Sequence, residues 1–325
     1  MKIVVLDGYT LNSGDNPWDE VAALGELTVH DRTEPDEIVN RAAGAEILVT
    51  NKTPLMEGVL TRLPDLRFIS VLATGYNVVE VDSAGRLGIP VANVPVYGTA
   101  SVAQHTFALL LELCNRVGLH DEAVRRGEWL RCQDFTFCRS PLIELAGKRF
   151  GVVGFGRIGQ QAARIARAFG MEILACNHRQ KDAPSDLPVI WVDLRELFAR
   201  ADVVSLHCPL TRDNGGFVNA RLLSSMKRSA FLVNTARGAL VNEEDLADAL
   251  HAGRIAGAAL DVLSREPQTR DNPLVTAPNC IITPHIAWAT LEARQRLMAA
   301  TAANIRGFLA GTPINVVNGE FLTGK

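Results

Sequence analysis

Residues 151–160, GVVGFGRIGQ, constrain this chain more than any other stretch. The β-branched run that leads into the glycines reads as a strand. The residues after them, RIGQQAARIARAF (157–169), read as a helix with Ile158, Ala162, Ile165, Ala166 and Phe169 on one face. Gly154, Gly156 and Gly159 therefore mark a strand-to-helix turn. In such a turn the first glycine permits the tight bend, the second lets backbone approach a pyrophosphate, and the third lets helix and strand pack closely. Arg157 and Ile158 open the helix, whose free N–H groups and positive dipole end suit phosphate. A purely structural strand–turn–helix is the bland alternative, and this context disfavours it.

The rest of the chain repeats the alternation. Strand patterns fall at 149–155, 172–177, 202–208, 230–236, 255–262 and 280–286, with a helix at 242–253. Before them, strands are expected at 2–7, 46–50, 67–73 and 90–94, with a helix at 34–43 that has Pro35 near its start. This β-α-β order calls for mostly parallel sheets covered by helices. Segment 98–116 is a long buried helix, with Val102, Thr106, Leu109, Leu110 and Leu113 at helical spacing. The stretch 127–141 is polar and aromatic without a clean period, and reads as an exposed arm or long loop. A last helical segment, about 290–310, follows all the strands and could cross back to the first domain. The 325 residues suit two domains.

Charge and composition exclude several classes. A net charge of −3 leaves no footprint for nucleic acid or an anionic membrane. No apolar run approaches the ~20 residues of a membrane span. The opening MKIVVLDG is a strand pattern with no evident signal peptide, and the scattered cysteines read as reduced, mostly buried thiols, so a cytoplasmic protein is expected. The six cysteines form no CxxC pair, and no HxxxH or close Cys/His cluster supports a metal site.

The strand after the glycine turn ends at Asn177, followed by His178 and Arg179. An acid at that place would hold both hydroxyls of an adenosine ribose and repel a 2′-phosphate. Asn177 removes the repulsion, and Arg179 offers a phosphate partner. NAD and NADP are both admitted, with a slight lean to NADP. The other reading is that Asn177 bonds the ribose of NAD while Arg179 is solvated.

Three further strand ends carry chemistry: NTARG (234–238), LDVLSREP (260–267) and TPHIAWAT (283–290). They supply Arg237, Glu266 and His285. Alone, each has a dull explanation: a surface charge, a loop charge, a satisfied core histidine. Together they suit hydride transfer to a 2-keto acid. A guanidinium matches the substrate carboxylate, and a histidine can protonate the carbonyl oxygen. A carboxylate beside that histidine orients its ring and favours its charged form.

Over essentially its whole length the chain resembles the D-isomer-specific 2-hydroxyacid dehydrogenase family, in its glycerate dehydrogenase/hydroxypyruvate reductase-like branch. The likeness runs through VVLDGYTLN (4–12), TNKTPL (50–55), ATGYNVV (73–79), GVVGFGRIGQ (151–160), HCPLT (207–211), NTARGALV (234–241), DVLSREP (261–267) and PHIAWAT (284–290). It implies an α/β fold of two doubly wound parallel-sheet domains. These are a discontinuous flavodoxin-like substrate domain, 1–98 plus 288–325, and a Rossmann NAD(P)-binding domain, 99–287. It implies reduction of hydroxypyruvate or glyoxylate to the D-2-hydroxy acid, and a homodimer built with the 120–147 arm.

The resemblance also implies residue roles. Arg237 binds the carboxylate, His285 is acid in reduction and base in oxidation, and Glu266 is its partner. Thr74, Gly75 and Tyr76 grip the carboxylate through backbone, Asn51 and Lys52 border the substrate from the other domain, and Trp288 lines the cleft near His285. Thr235, Ala236 and Asp261 lie near the nicotinamide, with Asp261 addressing its carboxamide. His207, Cys208 and Pro209 border the cofactor. Two departures stand out: Asn177 where NAD-using branches commonly carry an acid, and Glu80 where the related branch often carries Asp. Alternatives are another substrate within the family and a dinucleotide-sensing corepressor on the same scaffold. The intact Arg237, Glu266 and His285 set counts against the corepressor. A formate dehydrogenase would carry a glutamine-type partner in place of Glu266.

Overall fold

A computed structural model describes residues 1–178 and 184–322. The chain forms two compact units, one of residues 1–98 with those from 289 onward, the other of residues 99–288.

The first unit holds five strands: β1 (Lys2–Val5), β2 (Glu26–Val29), β3 (Ile47–Thr50), β4 (Phe68–Val71) and β5 (Val91–Ala92). They lie side by side in the order β2-β1-β3-β4-β5, and every pairing is parallel. This is the flavodoxin-like order, with its switch point between β1 and β3. The central strands β3 and β4 are buried at every residue, as a parallel sheet covered on both faces requires. At the edge, β2 exposes Glu26, Thr28 and Val29, so it has no apolar run to read. The helix expected at 34–43 is a single α-turn, Ile38–Arg41, after the turn in which the Glu37 N–H donates to the Glu34 carbonyl. Its anchors are few: in that turn Ile38 alone is buried.

The last helix, Leu291–Leu309, belongs to this unit. Phe308 stacks on Phe68 with ring centroids 4.6 Å apart. The Asn304 side-chain amide donates to the Asn93 carbonyl at 2.9 Å. Arg294, almost fully buried, makes a two-pronged ion pair with Asp15 at 2.6 Å on each arm.

The second unit holds β6 (Arg149–Val153), β7 (Glu172–Cys176), β8 (Ile190–Trp191), β9 (Val203–Leu206), β10 (Phe231–Asn234), β11 (Gly257–Leu260) and β12 (Cys280–Ile282). Their order is β12-β11-β10-β9-β6-β7-β8, all parallel. That is the doubly wound dinucleotide-binding order with a seventh strand added, and it reverses between β6 and β9. All six strands expected here form. The two-residue edge strand β8 has too little sequence to announce itself.

Helix Thr99–Asn115 packs on this sheet and buries Val102, Thr106, Leu109, Leu110 and Leu113, as its spacing predicts. Helix Arg157–Ala168 departs from expectation. It buries Gly159, Ala162, Ala163 and Ala166, whereas Ile158 and Ile165 are only half-buried and Phe169 is 40% exposed. Small residues face the sheet because helix and strand lie close. The Phe169 ring still covers Phe107, at 5.5 Å between centroids. Between 127 and 141 the chain forms a single 3-10 turn, Trp129–Arg131, and otherwise runs without helix or strand. Among the described residues no helix is long and apolar enough to cross a membrane.

Candidate active site

In the second unit the chemistry collects at the carboxyl ends of the parallel strands, where this topology places ligands. The turn after β6 comes first. Gly154 has φ +95°, and a Cβ there would come within 2.5 Å of the Cys208 backbone nitrogen. A Cβ on Gly159 would meet the Gly154 carbonyl oxygen at 2.3 Å, so this glycine lets the helix press onto the strand. Gly156 differs: nothing lies within 4 Å of the place its Cβ would take. The helix that follows has no side-chain cap, which leaves its first-turn N–H groups for another partner. An open-sided backbone turn with unclaimed donors fits a pyrophosphate.

Three side chains that flank the turn, His207, Cys176 and Cys208, carry no negative charge. The His207 ring bonds Ser205 Oγ at 2.9 Å, and burial pushes its pKa down to about 4, so the ring is neutral near pH 7. Burial likewise pushes the Cys176 and Cys208 thiols up, which keeps them protonated. Pro209 follows, exposed. Asn177, the residue after β7, is half-buried and borders a cavity of about 330 Å³ shared with Trp191, Val192, Asp193 and Glu196. His178 is exposed. The expected phosphate partner, Arg179, lies outside the described residues.

After β10, Asn234 folds the loop that presents Arg237. Its amide nitrogen donates to the Arg237 carbonyl at 2.9 Å, and its amide oxygen accepts from the Ala236 N–H at 3.0 Å. Gly238 lets this loop lie against the chain after β11, because a Cβ there would sit 1.9 Å from the Leu263 carbonyl carbon. Arg237 is exposed, with one guanidinium N–H donating to the Ala236 carbonyl at 2.7 Å. Thr235 is buried, and its hydroxyl meets that of Thr106 at 3.1 Å.

The loops after β11 and β12 meet through two carboxylates. His285 Nδ1 lies 2.7 Å from Glu266 Oε2, while Glu266 Oε1 accepts from the Leu263 N–H at 3.1 Å. A carboxylate can only accept, so Nδ1 carries the proton and Nε2 is the atom left for proton exchange. Glu243 holds the Glu266 loop from behind by accepting from the Ser264 N–H and hydroxyl at 2.7 and 2.8 Å.

His285 itself has φ +55°, a backbone region uncommon for residues other than glycine. Asp261 stabilises it. The Asp261 carbonyl accepts from the His285 N–H at 2.8 Å, and its carboxylate accepts from the N–H groups of Ile286 and Ala287 at 2.9 and 2.8 Å and from the Thr283 hydroxyl at 2.6 Å. The carboxylate is fully buried. Burial works against its charge, but hydrogen bonds from His105, Thr283, Ala287 and Ile286 outweigh it and hold the carboxyl below its ordinary range. Asp261 thus organises the His285 loop, a role the resemblance did not imply. Trp288 is half-buried at the end of the same loop.

The first unit carries its candidates at the same end of its own sheet. Asp7, just after β1, accepts from the backbone N–H groups of Asn51 at 2.7 Å and Thr53 at 2.8 Å, and from that of Lys52. The loop after β3 is therefore wrapped around one carboxylate. Asn51 is buried and donates to the Leu72 carbonyl at 2.8 Å; Lys52 is exposed. After β4, the Thr74 hydroxyl donates to the Val94 carbonyl at 2.9 Å, and Asn93 donates to the Thr74 carbonyl at 2.7 Å. Gly75 is half-buried and Tyr76 is 37% exposed. Glu80 accepts from the Glu57 N–H and the Ser83 hydroxyl, so it ties two helix starts together.

Sequence reasoning missed the supports: Asp7, Asn234, His105 and Thr283. Asp7, Asn234 and Thr283 lie inside quoted motifs, so position relative to strand ends was the available signal. His105 lies in a helix read for its apolar face, and nothing local marks it.

Residues 107–287 match the family described as D-isomer specific 2-hydroxyacid dehydrogenase, NAD binding domain. A hydroxypyruvate reductase of Blautia hydrogenotrophica is 50% identical over 321 residues, covering 98% of this chain and 100% of that one. A glycerate dehydrogenase of Methylorubrum extorquens is 41% identical over 285 residues, covering 87% and 88%. Among solved structures, an acyclic imino acid reductase in complex with NADPH and D-Arg superimposes with a TM-score of 0.84 at 30% identity, covering 98% of this chain and 100% of that one. With the motif match over more than half its length and relatives this near, the chain belongs to the D-isomer-specific 2-hydroxyacid dehydrogenase family, oxidoreductases that act on the CH–OH group of 2-hydroxy acids with a nicotinamide dinucleotide.

Proposed function

We propose that this protein reduces a small 2-keto acid, hydroxypyruvate to D-glycerate or glyoxylate to glycolate, with NADH or NADPH. The observation that carries the reading is the 2.7 Å contact of His285 with Glu266, after β12 and β11, the two strands that follow in order beside β10, which presents Arg237. A nicotinamide dinucleotide held at the glycine turn supplies the hydride in reduction and accepts it in oxidation. The Arg237 fork takes the substrate carboxylate in two parallel hydrogen bonds. As the carbonyl oxygen gains negative charge, His285 gives it the Nε2 proton, and Glu266 stabilises the charged ring before that transfer. Product oxidation reverses the transfer, with neutral Nε2 accepting the hydroxyl proton. The names of the two relatives support hydroxypyruvate and glycerate as the pair.

The absence of an acid at Asn177 supports acceptance of the 2′-phosphate of NADP. Leu130 at 90% and Phe135 at 88% exposure support a homodimer in which a second copy covers the arm. A cytoplasmic location belongs to the same proposal. The test is cofactor oxidation by purified protein, with NADH and NADPH, over hydroxypyruvate, glyoxylate, pyruvate and larger 2-keto acids. Hydroxypyruvate and glyoxylate are expected to give the highest kcat/KM. Cofactor binding without turnover of any of them would overturn the reading and leave a binding protein.

A further inference from the structure

Helix Thr99–Asn115 does more than cover the sheet. Along its first half, one face touches both loops that present the candidate catalytic groups. The Ser101 hydroxyl donates to the Ala287 carbonyl. His105 Nε2 lies 3.1 Å from Thr283 Oγ1 and 3.4 Å from Asp261 Oδ1. Thr106 meets Thr235, two residues before Arg237.

The Thr283 hydroxyl gives its one hydrogen to Asp261 Oδ1 at 2.6 Å, since a buried carboxylate can only accept. Towards His105, Thr283 is then the acceptor, so His105 Nε2 must carry hydrogen. The chain runs one way: His105 N–H to Thr283 O–H to Asp261. Asp261 in turn holds the N–H groups of the two residues after His285, and its carbonyl holds that of His285 itself. His285 occupies the left-handed backbone region, so its geometry depends on these supports.

We propose that His105 is a positioning residue for the proton-transfer step, acting through Thr283 and Asp261 on the loop that carries His285. It touches neither the His285 ring nor Glu266. It donates to Thr283, lies 3.4 Å from Asp261 itself, and so helps keep a buried carboxylate fully coordinated, and with it the angle at which His285 is held. This rests on the reading of His285 as the acid and base. The side chain is 20% exposed, so its replacement leaves no large hole in the core.

The test compares His105→Phe, which cannot donate, with His105→Gln, which can. Wild-type turnover of hydroxypyruvate in the same assay first establishes the reading itself. The Phe variant is expected to lose roughly 10- to 100-fold in kcat, the scale of a small misplacement of a catalytic group. Its NADH or NADPH dissociation constant, read by cofactor fluorescence, should stay within about twofold of wild type. The Gln variant should recover most of the kcat. In a cycle with Thr283→Val the two losses should not add, because both break one chain. A Phe variant with wild-type kcat, a Gln variant no better than Phe, or losses that add in the cycle would each overturn the proposal. So would a fall in cofactor affinity equal to the fall in kcat, which marks general loosening of the unit.

Discussion

Replacing Asp261 with Asn removes one charge and one acceptor from a buried, four-donor site while keeping the shape. The carboxylate accepts from Thr283, Ile286 and Ala287 at 2.6 to 2.9 Å and faces His105 at 3.4 Å. An amide can match at most one side of this arrangement. Its least costly orientation puts the oxygen towards Thr283 and Ile286 and turns the NH2 group onto the Ala287 N–H. That leaves one buried donor unmet, at a cost of about 1–3 kcal/mol. The two bonds that survive lose their charge assistance, about 1 kcal/mol each. Burial of a neutral amide is easier than burial of a carboxylate, which returns part of this. The net expectation is a loss of about 2–4 kcal/mol, or on the order of 10 °C in the melting temperature of a unit this size. The assay is thermal melting of wild type and Asp261→Asn at pH 7, paired with amide hydrogen exchange at Ile286 and Ala287. A melting point unchanged within about 2 °C and unaltered protection at both amides would refute the role assigned to Asp261. Acid should narrow the gap between the two proteins. Asp261 is held below its ordinary range, so its contribution is present above the unfolded value and is lost as pH falls through the folded one.

Other expectations are equally direct. His207 has a folded pKa of about 4, so between pH 6.5 and 4 the unfolded chain binds a proton the folded one refuses. Stability should fall by about 3 kcal/mol over that window, and His207→Asn should flatten that part of the pH–stability curve. Gly156→Val should weaken NADH and NADPH at least about tenfold with little change in melting, whereas Gly159→Val should cost about 1–3 kcal/mol of stability or more, because Gly159, unlike Gly156, is closed in by backbone. Phe135→Asp with Leu130→Asp should shift the mass measured by light scattering towards that of one chain; a mass unchanged from wild type would remove the arm from the proposed dimer contact.

The doubly wound plan was legible because buried parallel strands are short, continuous apolar runs, as in β3, β4, β9 and β10. Edge strands β2 and β8 were not legible, because exposure or shortness removes that signal. The helix at 34–43 was overcalled from composition and Pro35, while tertiary anchors exist for one turn only. Of the face expected on helix Arg157–Ala168, Ala162 and Ala166 are buried while Ile158 and Phe169 are not, because a helix pressed against a glycine turn buries its smallest side chains. At the site, groups with reactive side chains stood out at strand ends, namely Arg237, Glu266 and His285. The groups that hold them did not. Asp7 and Asn234 act by bonds to backbone, Thr283 by its bond to a buried carboxylate, and His105 from a helix far away in sequence. Such roles depend on which elements meet, and spacing along one element does not encode that.

The central claim is that the Nε2 of His285, oriented by Glu266, exchanges the substrate proton. The most direct measurement is kcat for hydroxypyruvate reduction by His285→Ala, taken together with the cofactor dissociation constant. The account predicts a fall in kcat of roughly 10²–10⁴-fold with cofactor affinity nearly unchanged. A fall of less than about tenfold, or an equal loss of cofactor binding, would contradict it and leave His285 a structural residue.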